Sequence, residues 1–208
     1  VRLGLMSSSD IINRVGVFGG TFDPIHNGHL TIASAVQEEF KLDQVLFVVT
    51  ADQWLRDNPP VASSTDRLRM VQLAVSCVPG FSASDIDMQR EGSTYTVDTL
   101  NDLRVELGES IELFLIVGAD SALSMDRWKA GDRIPMLATI VAVGRPGQNL
   151  HIDALGESHP ASGAEYLEGP MIDISSTQVR GLLSDSRSVG DLILGSVAEF
   201  IEIQGLYN

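Results

Sequence analysis

The sequence predicts an α/β domain built on a doubly wound parallel sheet, and three observations carry that reading. Short apolar, β-branched runs alternate with segments of helical period, the pattern of successive βαβ units joined by right-handed crossovers. The run Gln44–Thr50 (Gln-Val-Leu-Phe-Val-Val-Thr) is apolar at nearly every position, as a strand covered on both faces must be. Several of the runs stop at glycine: Gly19-Gly20 after the first, Gly118 after the fourth, Gly144 after the fifth.

In order, Arg14–Phe18 reads as a short buried strand, and Leu30, Ile32, Ala33, Val36 and Phe40 recur at helical spacing from Gly28 to Phe40. Gln44–Thr50 is the second strand. Thr65–Val78 is predicted to be a helix capped by Thr65, with Leu68, Val71, Gln72 and Val75 along one side. Phe81–Met88 alternates like a strand, Tyr95–Leu107 is helical, Ile111–Val117 is a buried strand, and Ile140–Val143 is another. Gly147–Glu168 is polar and reads as irregular, with His151 and His159 as loop histidines. Met171–Ile174 is expected to form one last short strand, followed by a small C-terminal helical portion from Ser176 and from Asp191 to Gln204. A single domain over residues 11–208, with 1–10 as an N-terminal tail, is the expected organisation.

Composition narrows the function classes. The 208 residues carry 14 Lys+Arg against 28 Asp+Glu, a net charge of −14, which argues against binding to nucleic acid or to an anionic membrane surface. One cysteine, Cys77, excludes a disulfide framework and a Cys-based zinc site. No apolar stretch approaches the ~18 residues of a membrane-spanning helix, and the opening segment is too short for a signal peptide. A cytoplasmic protein is expected. Only Lys41 and Lys129 are lysines; the other basic residues are arginines, whose planar fork suits phosphate.

The densest information lies in Gly16-Val-Phe-Gly-Gly-Thr-Phe-Asp-Pro-Ile-His-Asn-Gly-His-Leu30. A strand runs into two glycines, a turn with Asp23-Pro24 follows, and His26 and His29 stand three apart where a helix begins. That spacing puts both imidazoles on one face of the first turn, beside the positive end of the helix, where anions bind. Neither the dinucleotide Gly-x-Gly-x-x-Gly pattern nor the Walker Gly-Lys-Ser/Thr is present. Three readings remain open from the residues alone: half of a metal site, a pair of helix-capping histidines, or two donors for a polyphosphate.

The segment Gly19–His29 resembles the HxGH signature of the nucleotidylyltransferase superfamily, and Ile174-Ser-Ser-Thr-Gln-Val-Arg180 resembles its second signature, ISSTxxR. With Ser93–Thr96, Gly118-Ala-Asp-Ser121, Trp128, Gly144-Arg-Pro-Gly147 and Gln204-Gly-Leu-Tyr207, the chain is similar from about Val15 to Tyr207 to the bacterial nicotinate-mononucleotide adenylyltransferases. The resemblance implies a Rossmann-like nucleotidylyltransferase fold and transfer of the adenylyl group of ATP to nicotinate mononucleotide, giving deamido-NAD and pyrophosphate. It implies catalytic roles for His26, His29, Arg180 and Arg56. ATP would be bound by Gly19, Gly20, Thr21, Phe22, His26, His29, Gly118, Asp120, Ile174, Ser175, Ser176, Thr177 and Arg180. In that picture His29 stabilises charge on the transferring phosphoryl group, Ser176 and Thr177 donate to the triphosphate, and Asp120 holds a ribose hydroxyl. Nicotinate mononucleotide would be bound by Trp128, stacked on the pyridine, by Tyr95 and Thr96, whose backbone approaches the carboxylate, and by Arg145 and Trp54. Mg²⁺ would travel on the ATP phosphates with no dedicated protein ligands, and a homo-oligomer is allowed.

One loop departs from the family pattern. Most members carry Pro-Pro-His-Lys/Arg after the second strand; here Ala51-Asp-Gln-Trp-Leu-Arg-Asp-Asn58 stands there, closer to the Pro-Trp-Gln-Lys version of actinobacterial members. Two rivals survive the sequence: another superfamily enzyme, such as a pantetheine-phosphate adenylyltransferase or a cytidylyltransferase, and a catalytically silent nucleotide-binding sensor.

Overall fold

The structure is a computed structural model that describes residues 12–51, 59–90, 92–144 and 155–208. Six strands form one parallel sheet: β1 (Arg14–Gly20), β2 (Gln44–Val49), β3 (Phe81–Ser84), β4 (Glu112–Gly118), β5 (Thr139–Gly144) and β6 (Glu165–Glu168), in the order β3-β2-β1-β4-β5-β6. The chain winds outward from β1 to β3, then returns beside β1 with β4 and winds the other way. β1 and β4 therefore flank the switch point, where open sheets of this kind hold ligands beyond their carboxyl ends. Val17 faces Leu46 on one side and Leu115 on the other.

Alternation along the strands sorts the core into two layers. Phe18, Val45, Phe47, Val49, Phe114 and Ile116 point to one face. There they meet α1 (Asn27–Glu39), α2 (Ser64–Val75), α6 (Ser176–Ser184) and α7 (Gly195–Gln204) through Ala33, Met70, Val179 and Ile201. Val15, Val17, Leu46, Val48, Leu113 and Leu115 point to the other. Their partners are Val97, Leu100 and Leu103 of α3 (Thr96–Leu107) and Ile134 of α5 (Ile134–Leu137). A short α4 (Ala119–Leu123) follows β4 directly.

Several expectations need correction. The second helix is capped by Ser63, whose hydroxyl accepts from the Asp66 N–H at 3.1 Å; Thr65 is exposed, and Ser-x-x-Asp beginning at Ser63 was the true cap signal. Its buried face runs through Arg67, Met70, Val71, Ala74 and Val75, and Gln72 is exposed. The third strand stops at Ser84, whose hydroxyl accepts the Ile86 N–H, and Ile86–Gln89 forms a 3₁₀ turn. The last strand is Glu165–Glu168, inside the segment read as irregular, and Met171–Ile174 is not a strand. An edge strand with exposed glutamates has no apolar run to reveal it. The last helix begins at Gly195, after a turn through Asp191.

Candidate active site

β1 ends in a loop held from several sides. A Cβ at Gly19 would meet nothing within 4 Å, which leaves that backbone open, whereas one at Gly20 would press into the Phe22 ring at 2.7 Å. Phe22 takes the left-handed conformation at φ 49° and is buried, with its ring centroid 5.0 Å from that of His29. Its side chain thus backs His29, and only its backbone can face a ligand. The Asp23 carboxylate is buried. It accepts from the Val61 N–H at 2.8 Å, the Ala62 N–H at 3.1 Å and the Tyr207 hydroxyl at 2.7 Å. Burial first, and the bond to Asp23 second, raise the Tyr207 phenol above its ordinary pKa.

Arg67, 1% exposed, completes the frame. Its guanidinium donates to the carbonyls of Thr21 at 2.7 Å and Thr50 at 2.9 Å, and more distantly to Ala62 and Ala51. One buried cation therefore joins the ends of the first two strands to the start of α2, in the fork geometry that only arginine offers.

His26 stands at the N-cap position of α1 and His29 one turn inside. Their rings stack with centroids 3.7 Å apart and 24° between planes. The His26 N–H donates to His29 Nδ1 at 3.2 Å, so the neutral His29 ring carries its proton on Nε2. Burial lowers the His26 pKa to about 4; His29 lies well below the ordinary value, through burial and then the neighbouring His26. Both rings are neutral at pH 7. Gly28 between them has a steric reason: a Cβ there would lie 2.9 Å from His26 Nδ1 and 3.1 Å from Ile172.

The second motif docks against this loop. The Ser176 hydroxyl donates to the Pro24 carbonyl at 2.9 Å, and Arg180 donates to the Asp23 carbonyl at 2.7 Å and to the Thr177 hydroxyl at 3.3 Å. Ser175 caps α6 by accepting from the Gln178 N–H, and Ile174 packs on the core. The Ser176 hydroxyl proton is therefore engaged by the loop. What the helix start offers an anion is the N–H groups of Ser176 and Thr177, which have no partner among the described residues.

A cavity of about 180 Å³ opens beside these elements, between the ends of β1, β2 and β4 and the start of α3. Gly19, Gly118, Tyr95, Thr96 and Trp128 line it together, as do Asp87, Thr99 and Lys129, which the sequence reading did not single out. Asp87 is buried and accepts from Thr99 Oγ1 and Arg90. Burial pushes its pKa up to about 6, against the pull of Thr99 and Arg90. The Trp128 Nε1 is buried without a partner among the described residues. Asp120 lies exposed in the first turn of α4, just beyond Gly118. Trp54, Arg56 and Arg145 lie outside the described residues.

A switch-point crevice with two helix N-termini, a paired-imidazole loop and an aromatic cavity defines a nucleotide-handling α/β enzyme. Residues 17–182 match the family model described as cytidylyltransferase-like. A Corynebacterium kroppenstedtii relative described as "probable nicotinate-nucleotide adenylyltransferase" is 42% identical over 97% of this chain and 94% of its own length. A Dehalococcoides mccartyi relative of the same description is 39% identical over 94% and 97%. The chain belongs to the nicotinate-nucleotide adenylyltransferase family. Its fold is also that of Plasmodium falciparum nicotinic acid mononucleotide adenylyltransferase complexed with NaAD, at TM-score 0.73 and 18% identity, covering 94% of this chain and 97% of the other.

Proposed function

We propose that this chain transfers the adenylyl group of ATP to nicotinate mononucleotide, releasing pyrophosphate and forming deamido-NAD. One observation carries the reading: the stacked His26–His29 pair follows β1 and holds the loop on which the start of α6 docks, and a cavity lined by Gly19, Trp128, Tyr95 and Thr96 opens at the same end of the sheet. A triphosphate fits the first part and a pyridine nucleotide the second.

In the proposed step an oxygen of the mononucleotide phosphate attacks the α-phosphorus of ATP. The bond from that phosphorus to the bridging oxygen breaks, and pyrophosphate leaves with the electron pair. No covalent enzyme intermediate is required, so the protein's work is alignment and charge stabilisation. The neutral His29 offers Nε2–H to the transferring phosphoryl group, a donor fixed in advance by the bond at Nδ1. The N–H groups of Ser176 and Thr177 would meet the β- and γ-phosphates. Arg180, already bound to the loop carbonyl at Asp23, would add a cation there by exchanging its weaker contact with Thr177. Arg56 is proposed as a second phosphate cation.

On the other side Trp128 would stack on the pyridine, with Arg145 and Trp54 completing that subsite, and Asp120 would hold a ribose hydroxyl. Among the described residues no three His, Cys, Asp or Glu side chains gather into a metal site. A Mg²⁺ ion would be carried on the phosphate oxygens, where it would neutralise triphosphate charge. The reading implies one catalytic domain working on soluble cytoplasmic nucleotides. Among the described residues no helix is long and apolar enough to cross a membrane.

The test is pyrophosphate release from ATP with nicotinate mononucleotide and, side by side, with nicotinamide mononucleotide. A carboxylate-reading site should favour the nicotinate form by at least about tenfold in kcat/KM, because the carboxamide leaves buried donors unpaired at ~1–3 kcal/mol each. Equal values would remove the nicotinate assignment, and no turnover with either would favour a pantetheine-phosphate or cytidylyl substrate, or a silent sensor.

A further inference from the structure

We propose that Lys129 is the specificity-determining cation of the pyridine subsite, its ammonium pairing with the carboxylate on the substrate ring. The inference rests on the adenylyl-transfer reading above and identifies what in this chain would tell an acid from its amide.

Lys129 is the one cationic side chain that lines the cavity among the described residues. It is also held in place before any ligand arrives. Its Nζ sits 4.2 Å from the centroid of the Tyr95 ring and 3.0 Å from Asp98 Oδ2. Both holders belong to the start of α3: Tyr95 is its N-cap residue and Asp98 lies in its first turn. The N–H groups of Asp98 and Thr99 both turn back to the Tyr95 carbonyl, at 3.0 and 3.1 Å. Those of Thr96 and Val97 have no partner among the described residues, and Thr96 lines the cavity. Backbone donors and an ammonium thus converge around Tyr95.

An ammonium has three protons. One is engaged by Asp98, and the attraction to the Tyr95 face leaves the others free for an incoming oxygen. The ion pair is half-exposed, so it orients Lys129 without neutralising it as a buried pair would. The acidic cavity residue, Asp87, is compensated by Arg90 and Thr99, which blunts its repulsion of an anionic substrate.

A single backbone N–H discriminates weakly, because the oxygen of a carboxamide also accepts from it. A second donor fixed beside it changes this. A carboxylate answers both with its two oxygens, whereas a carboxamide must present its NH₂ to the ammonium, donor against donor.

The experiment measures kcat/KM for nicotinate and nicotinamide mononucleotides, with ATP, in the wild type and in Lys129→Met, Lys129→Arg and Asp98→Asn. The expected result is a ratio of nicotinate to nicotinamide about tenfold lower in Lys129→Met, the scale of one charge-assisted hydrogen bond. Lys129→Arg should keep the ratio within about threefold, since the charge is retained. Asp98→Asn should keep it too, because it removes the holder and not the reader. An unchanged ratio in Lys129→Met overturns the proposal. So does an equal fall in Asp98→Asn, which would mean that the ion pair only secures α3. A wild type that turns over both mononucleotides equally overturns the carboxylate reading beneath it, and one that turns over neither overturns adenylyl transfer itself; each differs from the pattern in which only the lysine assignment fails.

Discussion

The two halves of the site are built on opposite plans. On the phosphate side most side-chain polar groups are engaged before a ligand arrives, with His26 Nδ1 the buried exception among the described residues. Asp23 accepts three bonds, Arg67 ties four carbonyls, Ser176 holds Pro24, Arg180 holds the Asp23 carbonyl, and His29 Nδ1 is satisfied. On the pyridine side a cavity stands open, the Trp128 Nε1 has no partner among the described residues, and the exposed Lys129 is held by one ion pair and one ring. The contrast follows from the two tasks. Donors that act on developing charge gain most when they need no reorganisation. A substrate subsite gains selectivity from groups left for the ligand to satisfy.

The contrast is broken most directly at His29. If the phosphate side is a preassembled transition-state site, His29→Ala should lower kcat by ~10²–10³ while changing the KM for ATP far less, the usual loss for one such donor. Near-normal turnover with weakened ATP binding would place His29 among groups that bind the ground state.

A smaller effect is expected where the frame is broken behind the chemistry. Arg67→Met keeps the buried length but removes the donors facing Thr21 and Thr50. Stability should fall by about 3 kcal/mol, two charged-donor bonds lost with their carbonyls left buried. A melting temperature lower by roughly 10 °C would express that in a chain of this size. A shift under about 2 °C would mean that the loop is held by the Asp23 network alone.

The same contrast explains what was legible beforehand. The sheet was readable because both faces of β1, β2 and β4 are covered, so after the polar residue that opens each strand their residues are apolar or glycine. β6 was not, since its edge position leaves Glu165, Tyr166 and Glu168 exposed. The motif residues of the phosphate side were recognisable as a pattern. Arg67 was hidden by the rule that charged residues face water, and on helical period it displaced the expected face toward Leu68 and Gln72. Lys129 and Asp87 belong to no pattern of spacing; the crossover connections alone bring them to one cavity. The rarity of lysine and its place beside Trp128 were the only hints.

The smallest expected effect separates the halves by sign. His26, with a pKa lowered to about 4 from 6.5, contributes stability that is complete above pH 6.5 and is lost as the pH falls through about 4, because the unfolded chain takes up the proton first. His29, lowered by the same burial, acts in the same direction. Asp87 does the reverse: with its pKa raised from 3.8 to about 6, its contribution is complete below 3.8 and is lost as the pH rises through 6. Between pH 6 and 4 the phosphate side therefore loses stability on acidification while the pyridine side regains some. Asp87→Asn keeps an oxygen for Thr99 and Arg90 but cannot titrate, so it should steepen the acid loss of melting temperature in that window. The change is bounded by one proton, roughly 1.4 kcal/mol per pH unit, and partial exposure to the cavity will reduce it. His26→Gln should flatten the same curve by removing one of the two neutral bases. Thermal melts from pH 4 to 7.5 on the wild type and both variants decide the matter. Slopes that shift in the same direction in both variants would show that the two halves do not differ in the charge they bury.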